Sequence, residues 1–425
     1  MGPLRILGSA LTVASIVFLC FAALPLAADD IYVTITSDTD DGFCGGPLHF
    51  PCSLRDAILS ANTRPGYDAI HVPAGTYNLT IGGSGEDSAM TGDLDITDIV
   101  NIIGSGAGVT VIDGLGNDRV FQVLHENSTY FHDLTIRGGR ADTGGGIAVQ
   151  YDGWVLVDRC IIENNVGTMQ DWGGGGIFVS NGTLYVNQST FRGNEAAFGS
   201  AIFTYVSSDL IIKRSTFSHN SARNYPDFPY AGGAVVTASV STEIINSTFT
   251  QNTNQLTGRA GGLMVYQGST VVDACTFADN DGYEILNDGQ DLLQLGNTII
   301  RGTCGGSAIS TQEGNVEGPG NTCLLLEPGD HYGASLHLLP LGDYGGPTFT
   351  MPPEYRPDNV VIDNPRAHPN CQSFDQRGVV RPQNGDNDHI ATCDTGAVEV
   401  LSQGLIFSDG FESGSTGAWD STEPG

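Results

Sequence analysis

Basic residues are scarce in this 425-residue chain: 17 Lys and Arg stand against 48 Asp and Glu, a formal net charge of −31. Only one of the 17 is a lysine, Lys213. A surface that tracks phosphates or an anionic bilayer needs clustered Lys and Arg, so nucleic acid is excluded as a partner. Aromatic residues are few at 8%, while 58 glycines punctuate the chain, which argues against a helical bundle; an apolar content of 40% argues against disorder. The usual catalytic signatures are missing. There is no GxSxG elbow, HExxH or P-loop, no CxxC of a zinc site, and no pair among the nine histidines at metal-ligand spacing. Beyond residue 28 no stretch approaches the roughly 18 consecutive apolar residues of a membrane span, so the mature chain is expected to be a monomer without one.

What is present starts with one apolar run, residues 6–28, behind the single positive charge of Arg5 and ending in small residues. Residues 1–28 therefore read as a secretory signal peptide cleaved near Ala28. Cys20 leaves with it, and the other eight of the nine cysteines face an oxidising compartment. Close neighbours pair as Cys44 with Cys52, Cys304 with Cys323, and Cys371 with Cys393, three staples for irregular segments. Cys160 and Cys275 remain.

The dominant signal is internal repetition. Five segments align without gaps: 160–165 (CIIENN), 189–194 (STFRGN), 215–220 (STFSHN), 247–252 (STFTQN) and 275–280 (CTFADN). A small-residue landmark precedes each, beginning at Gly145, Gly175, Ser200, Gly233 and Gly262. From landmark to closing Asn the spacing is 20, 19, 20, 19 and 18; from Asn to the next landmark it is 10, 6, 13 and 10. A nearly fixed stretch with runs of period 2, next to a variable one, predicts a coil of short strands. Stacked coils turn alignment columns into ladders. Ile162, Phe191, Phe217, Phe249 and Phe277 are expected to stack inward. Asn165, Asn194, Asn220, Asn252 and Asn280 are expected to take the left-handed backbone of a sharp turn and bond from coil to coil. The fold class read from this is all-β, a right-handed parallel β-helix. Cys160 and Cys275 then share a column four coils apart, about 19 Å at 4.8 Å per coil. A disulfide spans at most about 7 Å between Cα atoms, so both are expected as buried free thiols.

Four resemblances follow from motifs. The pairing of GG[AG]I with FxxN resembles polymorphic outer-membrane-protein repeats over 134–303. Residues 31–124 resemble the CSLREA domain of bacterial β-helix surface proteins through 52–58 (CSLRDAI), 73–77 (PAGTY), 92–96 (GDLDI) and 111–114 (VIDG). Asp56 stands where that family usually has Glu. Physically, Ser53 caps a short helix whose Asp56 completes a capping box and whose Leu54, Ala57, Ile58 and Ala61 share one face. Such a helix covers the open first coil. Residues 338–400 resemble the choice-of-anchor Q domain through 338–348 (LLPLGDYGGPT), 375–378 (DQRG) and 393–399 (CDTGAVE), although 361–364 (VIDN) departs from its usual SPAIDAG-like step. Residues 405–420 are similar to a short tail on exported proteins of Gram-negative bacteria, part of an acidic flexible stretch, 401–425. The organisation expected is thus a signal peptide at 1–28, a cap and first coils at 29–124, repeats at 125–337, the anchor-like region at 338–400 and the tail.

Two classes of function compete. Variable segments that leave every coil at the same corner must project side by side. They carry Asp171 and Trp172; Glu195 and Phe198; Arg223, Tyr225, Asp227, Phe228 and Tyr230; and Arg259. Aromatics among acids and arginines suit a sugar or a protein partner. The resemblances place such a binder outside a Gram-negative cell, secreted or outer-membrane associated, as a non-catalytic adhesin for an extracellular glycan or a cell-surface protein. The alternative is a polysaccharide lyase or glycoside hydrolase of the pectate-lyase-like type. Its base and carboxylates would come from Asp93, Asp95, Asp113 and Arg137, with Asp133, Asp158 and Arg159 nearby. No cofactor is required; calcium has a weak candidate turn at Asp386 and Asp388.

Overall fold

The computed structural model describes residues 29–41, 44, 51–124, 126, 128–169, 173–223, 232–289, 291–356, 358–364, 371–386 and 388–401. The expected signal peptide, the tail beyond 401, and Asp171, Trp172, Tyr225, Asp227, Phe228 and Tyr230 lie outside them.

One coil from the middle gives the path. Ile177–Ser180 forms the first face, Gly182–Asn187 the second, Thr190–Arg192 the third, and the short Glu195–Ala196 closes the coil before Ile202–Tyr205 begins the next. Each strand pairs in parallel with its equivalent one coil away. Third-face strands make a 10-stranded sheet and the closing strands a 5-stranded one. The first two faces merge into an 18-stranded sheet because Val235–Ile245 and Ala260–Asp273 run through the corner between them. The chain is a parallel β-solenoid, as the repeat predicts.

Alternation sets the core. Leu184, Val186 and Phe191 point inward and are fully buried, while Tyr185 and Arg192 point out. The expected aromatic column forms: Phe191, Phe217, Phe249 and Phe277 stack with centroids 4.8, 4.6 and 4.6 Å apart and planes within 12° of parallel. Ile162 continues it in register below Phe191.

The asparagine ladder also forms. Asn165 Nδ2 donates to Asn194 Oδ1 (3.1 Å), Asn194 to Asn220 (3.0 Å), Asn220 to Asn252 (2.9 Å) and Asn252 to Asn280 (2.7 Å). The backbone expectation is corrected by one residue. The left-handed positions are Asn164, Gly193, His219, Gln251 and Asp279, each just before a ladder asparagine. That residue absorbs the turn, so the Asn itself can point inward and receive the amide of the coil beside it. A second ladder occupies the corner before the third face: the backbone N–H of Cys160 donates to Ser189 Oγ, that of Ser189 to Ser215, and that of Ser215 to Ser247. Cys160 and Cys275 lie in this column, buried and unpaired, and burial pushes the Cys160 thiol up to about 12. The other three cysteine pairs are bonded as expected.

Each terminal region packs on the coils. Helix Leu54–Asn62 carries the expected capping box, with the Asp56 N–H donating to Ser53 Oγ at 3.0 Å and the Ser53 N–H to Asp56 Oδ2 at 3.4 Å. Its apolar face joins the main core. Arg55 is buried too, paired with Asp38 at 2.8 Å and donating to the carbonyls of Ala89, Gly92 and Asp93. At the other end, residues from 348 to 400 fold back along the outer side of the third face. Gln376 bonds to Ser215 O, Thr216 Oγ1 and Thr248 Oγ1, and the Ala397 N–H donates to Thr276 Oγ1. Ile299 and Val316 are covered by Val361, Ile362 and Val400.

Candidate functional site

The three outer faces differ in what covers them. On the first, Phe178, Phe203, Val236, Met264 and Leu286 point outward yet are buried in a satellite core with Phe198 and Tyr283. On the third, the C-terminal region covers Thr216, Thr248 and Thr276. The second face is open, and its outward positions hold a run of aromatic rings.

Strand register places them. Tyr32 pairs with His71 in the first two coils; Tyr67 stands on the strand Tyr67–His71; Asn101 pairs with Tyr130; Tyr130 pairs with Leu156, and Leu156 with Tyr185. Trp154 lies two residues before Leu156 on the same outward side, opposite Ser128. Tyr130 has Trp154 at 5.4 Å and Tyr67 at 6.3 Å between centroids, and Tyr32 stacks on His71 at 4.6 Å. Tyr32 is 59% exposed and Tyr67 40%; Tyr130, Trp154 and Tyr185 are half-buried. Polar groups edge the rings. Asn101 Nδ2 donates to the Tyr67 hydroxyl at 2.8 Å, and His71 Nε2 lies 2.9 Å from Asp30. Lys213 closes one end, 6.0 Å from the Tyr185 ring centroid and paired with Glu243 at 3.2 Å.

The carboxylate candidates are not brought together. Asp93 and Asp95 adjoin the first face, in the large sheet, whereas Asp113 and Arg137 pair with each other across the third-face sheet at 2.7 Å. Asp133 pairs with Arg159 at 2.7 Å, and Arg159 also contacts Asp158. Burial raises Asp158, but bonds from His132 and Asn187 outweigh it and hold the carboxyl below its usual range. Asp93 pairs with Arg119 at 2.9 Å; burial lifts it to about 6 against the pull of Arg119. Asp95 is the most perturbed of the set, raised to about 7 by burial and then by repulsion from Asp93. Its Oδ2 accepts the Ala89 N–H at 2.8 Å and its Oδ1 is buried without a partner. It is fully buried, beyond reach of a polymer on the surface.

The described loop residues are engaged within the chain. Glu195 pairs with Arg223, Arg259 with Asp288 at 3.1 Å, and Phe198 packs on Phe203 at 5.9 Å between centroids. Asp386 and Asp388 are exposed and each accepts a backbone N–H, at 2.9 and 2.7 Å. Among the described residues no cluster of three or more His, Cys, Asp or Glu side chains is arranged to hold a metal, and no helix is long and apolar enough to cross a membrane.

The family comparison agrees with the architecture over the middle of the chain. A family model described as a right-handed beta helix region matches residues 95–270. The metabotropic glutamate receptor-like protein R of Dictyostelium discoideum is 34% identical over 109 residues, 26% of this chain and 6% of that protein's length. Among solved structures, pectate lyase Pel9A is similar with a TM-score of 0.39 and 14% identity, covering 88% of this chain and 97% of that one. The A-module of the Azotobacter vinelandii mannuronan C-5 epimerase AlgE6 gives a TM-score of 0.24 and 15% identity, over 65% and 93% of the two chains.

Proposed function

We propose that this chain is an exported, surface-displayed β-solenoid that binds an extracellular glycan or cell-surface protein without cleaving it. The resemblance of its two ends and its tail to exported bacterial surface proteins supports the location. One observation carries the non-catalytic reading: Asp93, Asp113 and Asp133 are each already closed by an arginine, on different parts of the coil. Cleavage of a glycosidic bond needs an acid and a base converging on one reacting centre. The reading needs no cofactor. The test is incubation with pectin, alginate and neutral polysaccharides, following reducing ends and the ultraviolet absorbance of unsaturated products. The expected result is retention on a glycan or on cells, with no product.

A second reading, a polysaccharide lyase or glycoside hydrolase, draws on Asp95. A carboxyl raised to about 7 with a free buried oxygen is suited to proton transfer, and because the side chain is fully buried this reading requires the coil to open over it to admit a substrate. Product formation that Asp95→Asn abolishes would replace the first reading with this one.

A further inference from the structure

We infer that the open second face binds a neutral, extended polysaccharide lying along the solenoid axis, across Tyr32, Tyr67, His71, Tyr130, Trp154 and Tyr185. This deepens the binding reading above and rests on it. From the strand of Tyr32 to that of Tyr185 there are five coil steps, roughly 24 Å at about 4.8 Å each. The strip is therefore longer than it is wide, the shape of a site for a chain of several sugars.

The chemistry of the strip selects the ligand. Tyr and Trp present a flat apolar face with a polar edge, which matches a pyranose ring: C–H groups on its face, hydroxyls around its rim. Asn101, His71 and Asp30 stand beside the rings as hydrogen-bonding groups for those hydroxyls. The rings are held on a parallel ladder, so little ordering entropy is lost on binding. Charge excludes a polyanion. The basic groups beside the rings are each paired, Lys213 with Glu243, His71 with Asp30 and Arg159 with Asp158, and the whole chain carries −31. Repulsion of that sign disfavours uronate polymers and leaves a neutral chain as the matching occupant. A protein partner is the weaker match, because an interface anchor sits in a desolvated pocket, whereas these rings stand on an open sheet.

The experiment is affinity electrophoresis of the full chain in gels cast with hydroxyethylcellulose, galactomannan, xylan or polygalacturonate. The parent protein should be retarded by at least one neutral polymer, and the Tyr130→Ala/Trp154→Ala variant should bind it about tenfold or more weakly. Tyr266→Ala, on a ring 45% exposed elsewhere, should bind as the parent does. If the double variant fails to fold, Tyr32→Ala/Tyr67→Ala, at the two most exposed rings, makes the same comparison. The inference is overturned if no neutral polymer retards the parent, if only polygalacturonate does, if both double variants bind like the parent, or if sedimentation shows a dimer that they dissolve. Release of reducing ends would instead sink the non-catalytic reading, leaving the face assignment standing if the variants lose binding.

Discussion

The outer sides of the second and third faces are built from the same coils, yet one is open and the other covered. Thr216, Thr248 and Thr276 point outward from the third face and are buried, because a segment more than a hundred residues later donates to or accepts from each of them. Tyr130, Trp154 and Tyr185 point outward from the second face with nothing comparable across them. Local alternation decides only which side of the strand a residue takes. Whether that side becomes core or surface depends on what docks there. A solenoid can thus spend polar threonines in a covered interface and leave its large rings in water.

The largest expected effect breaks both faces together. Asn220→Leu leaves the Asn194 N–H without its acceptor, takes one of two acceptors from Asn194 Nδ2, and removes the side-chain donor from Phe191 O and from Asn252 Oδ1, which keeps only the backbone N–H of residue 220. The unpaired N–H costs about 1–3 kcal/mol and each of the three weakened bonds about 0.5–1.5 kcal/mol, so the sum is roughly 3–6 kcal/mol. Chemical denaturation should show that loss, and hydrogen exchange should show it on second- and third-face strands alike.

A pH change should separate them. In the covering segment Glu399 is raised to about 7, first by burial, with Arg381 pulling it down, and its buried neighbour Asp394 is also raised. A carboxyl whose folded pKa lies above its unfolded value contributes stability that is whole below about pH 4 and is lost as pH rises through the folded value. Proteolysis within 338–401 should therefore accelerate between pH 5 and pH 8, while the exchange protection factors of the second-face strands Ser128–His132, Gly153–Asp158 and Gly182–Asn187 stay level. Smaller again is Gln376→Leu. It cuts the bonds to Ser215 O, Thr216 and Thr248, costs about 1–3 kcal/mol, and should loosen the cover without touching the aromatic strip.

Much of this was legible in the sequence because it repeats. The Phe and Asn columns, the two free thiols, the capping box and the three disulfides all follow from spacing and local chemistry. The rest depends on partners that no column announces. Arg55 reads as a solvated helix residue until Asp38 and three carbonyls close around it. Glu284 ends the asparagine ladder by accepting from the N–H and Nδ2 of Asn280, in a coil where the motif has already lapsed. The carboxylates failed as a set because a strand some twenty residues further along the coil lies on another face. The aromatic strip left a trace that was available: 128–132 (STYFH), 153–158 (GWVLVD) and 182–187 (GTLYVN) each place a ring on the outward phase of a strand. These rings are mounted on strands, away from the variable segments where recognition residues usually lie.

The smallest expected effect is the sharpest test of the comparison. Phe178 and Tyr185 belong to one coil, stand seven positions apart, and both point outward. Phe178 is 6% exposed in the satellite core, where truncation to alanine should cost about 3–5 kcal/mol. Tyr185 is half-buried on the open face, flanked in register by Leu156 and Ile211, with Lys213 near its ring. Tyr185→Ala should change stability by no more than about 0.5 kcal/mol, the range of ordinary surface substitutions. Thermal denaturation of the two variants side by side decides the matter. A loss at Tyr185 as large as that at Phe178 would mean that this ring is held by packing, and that the second face is a structural surface with no ligand to explain it.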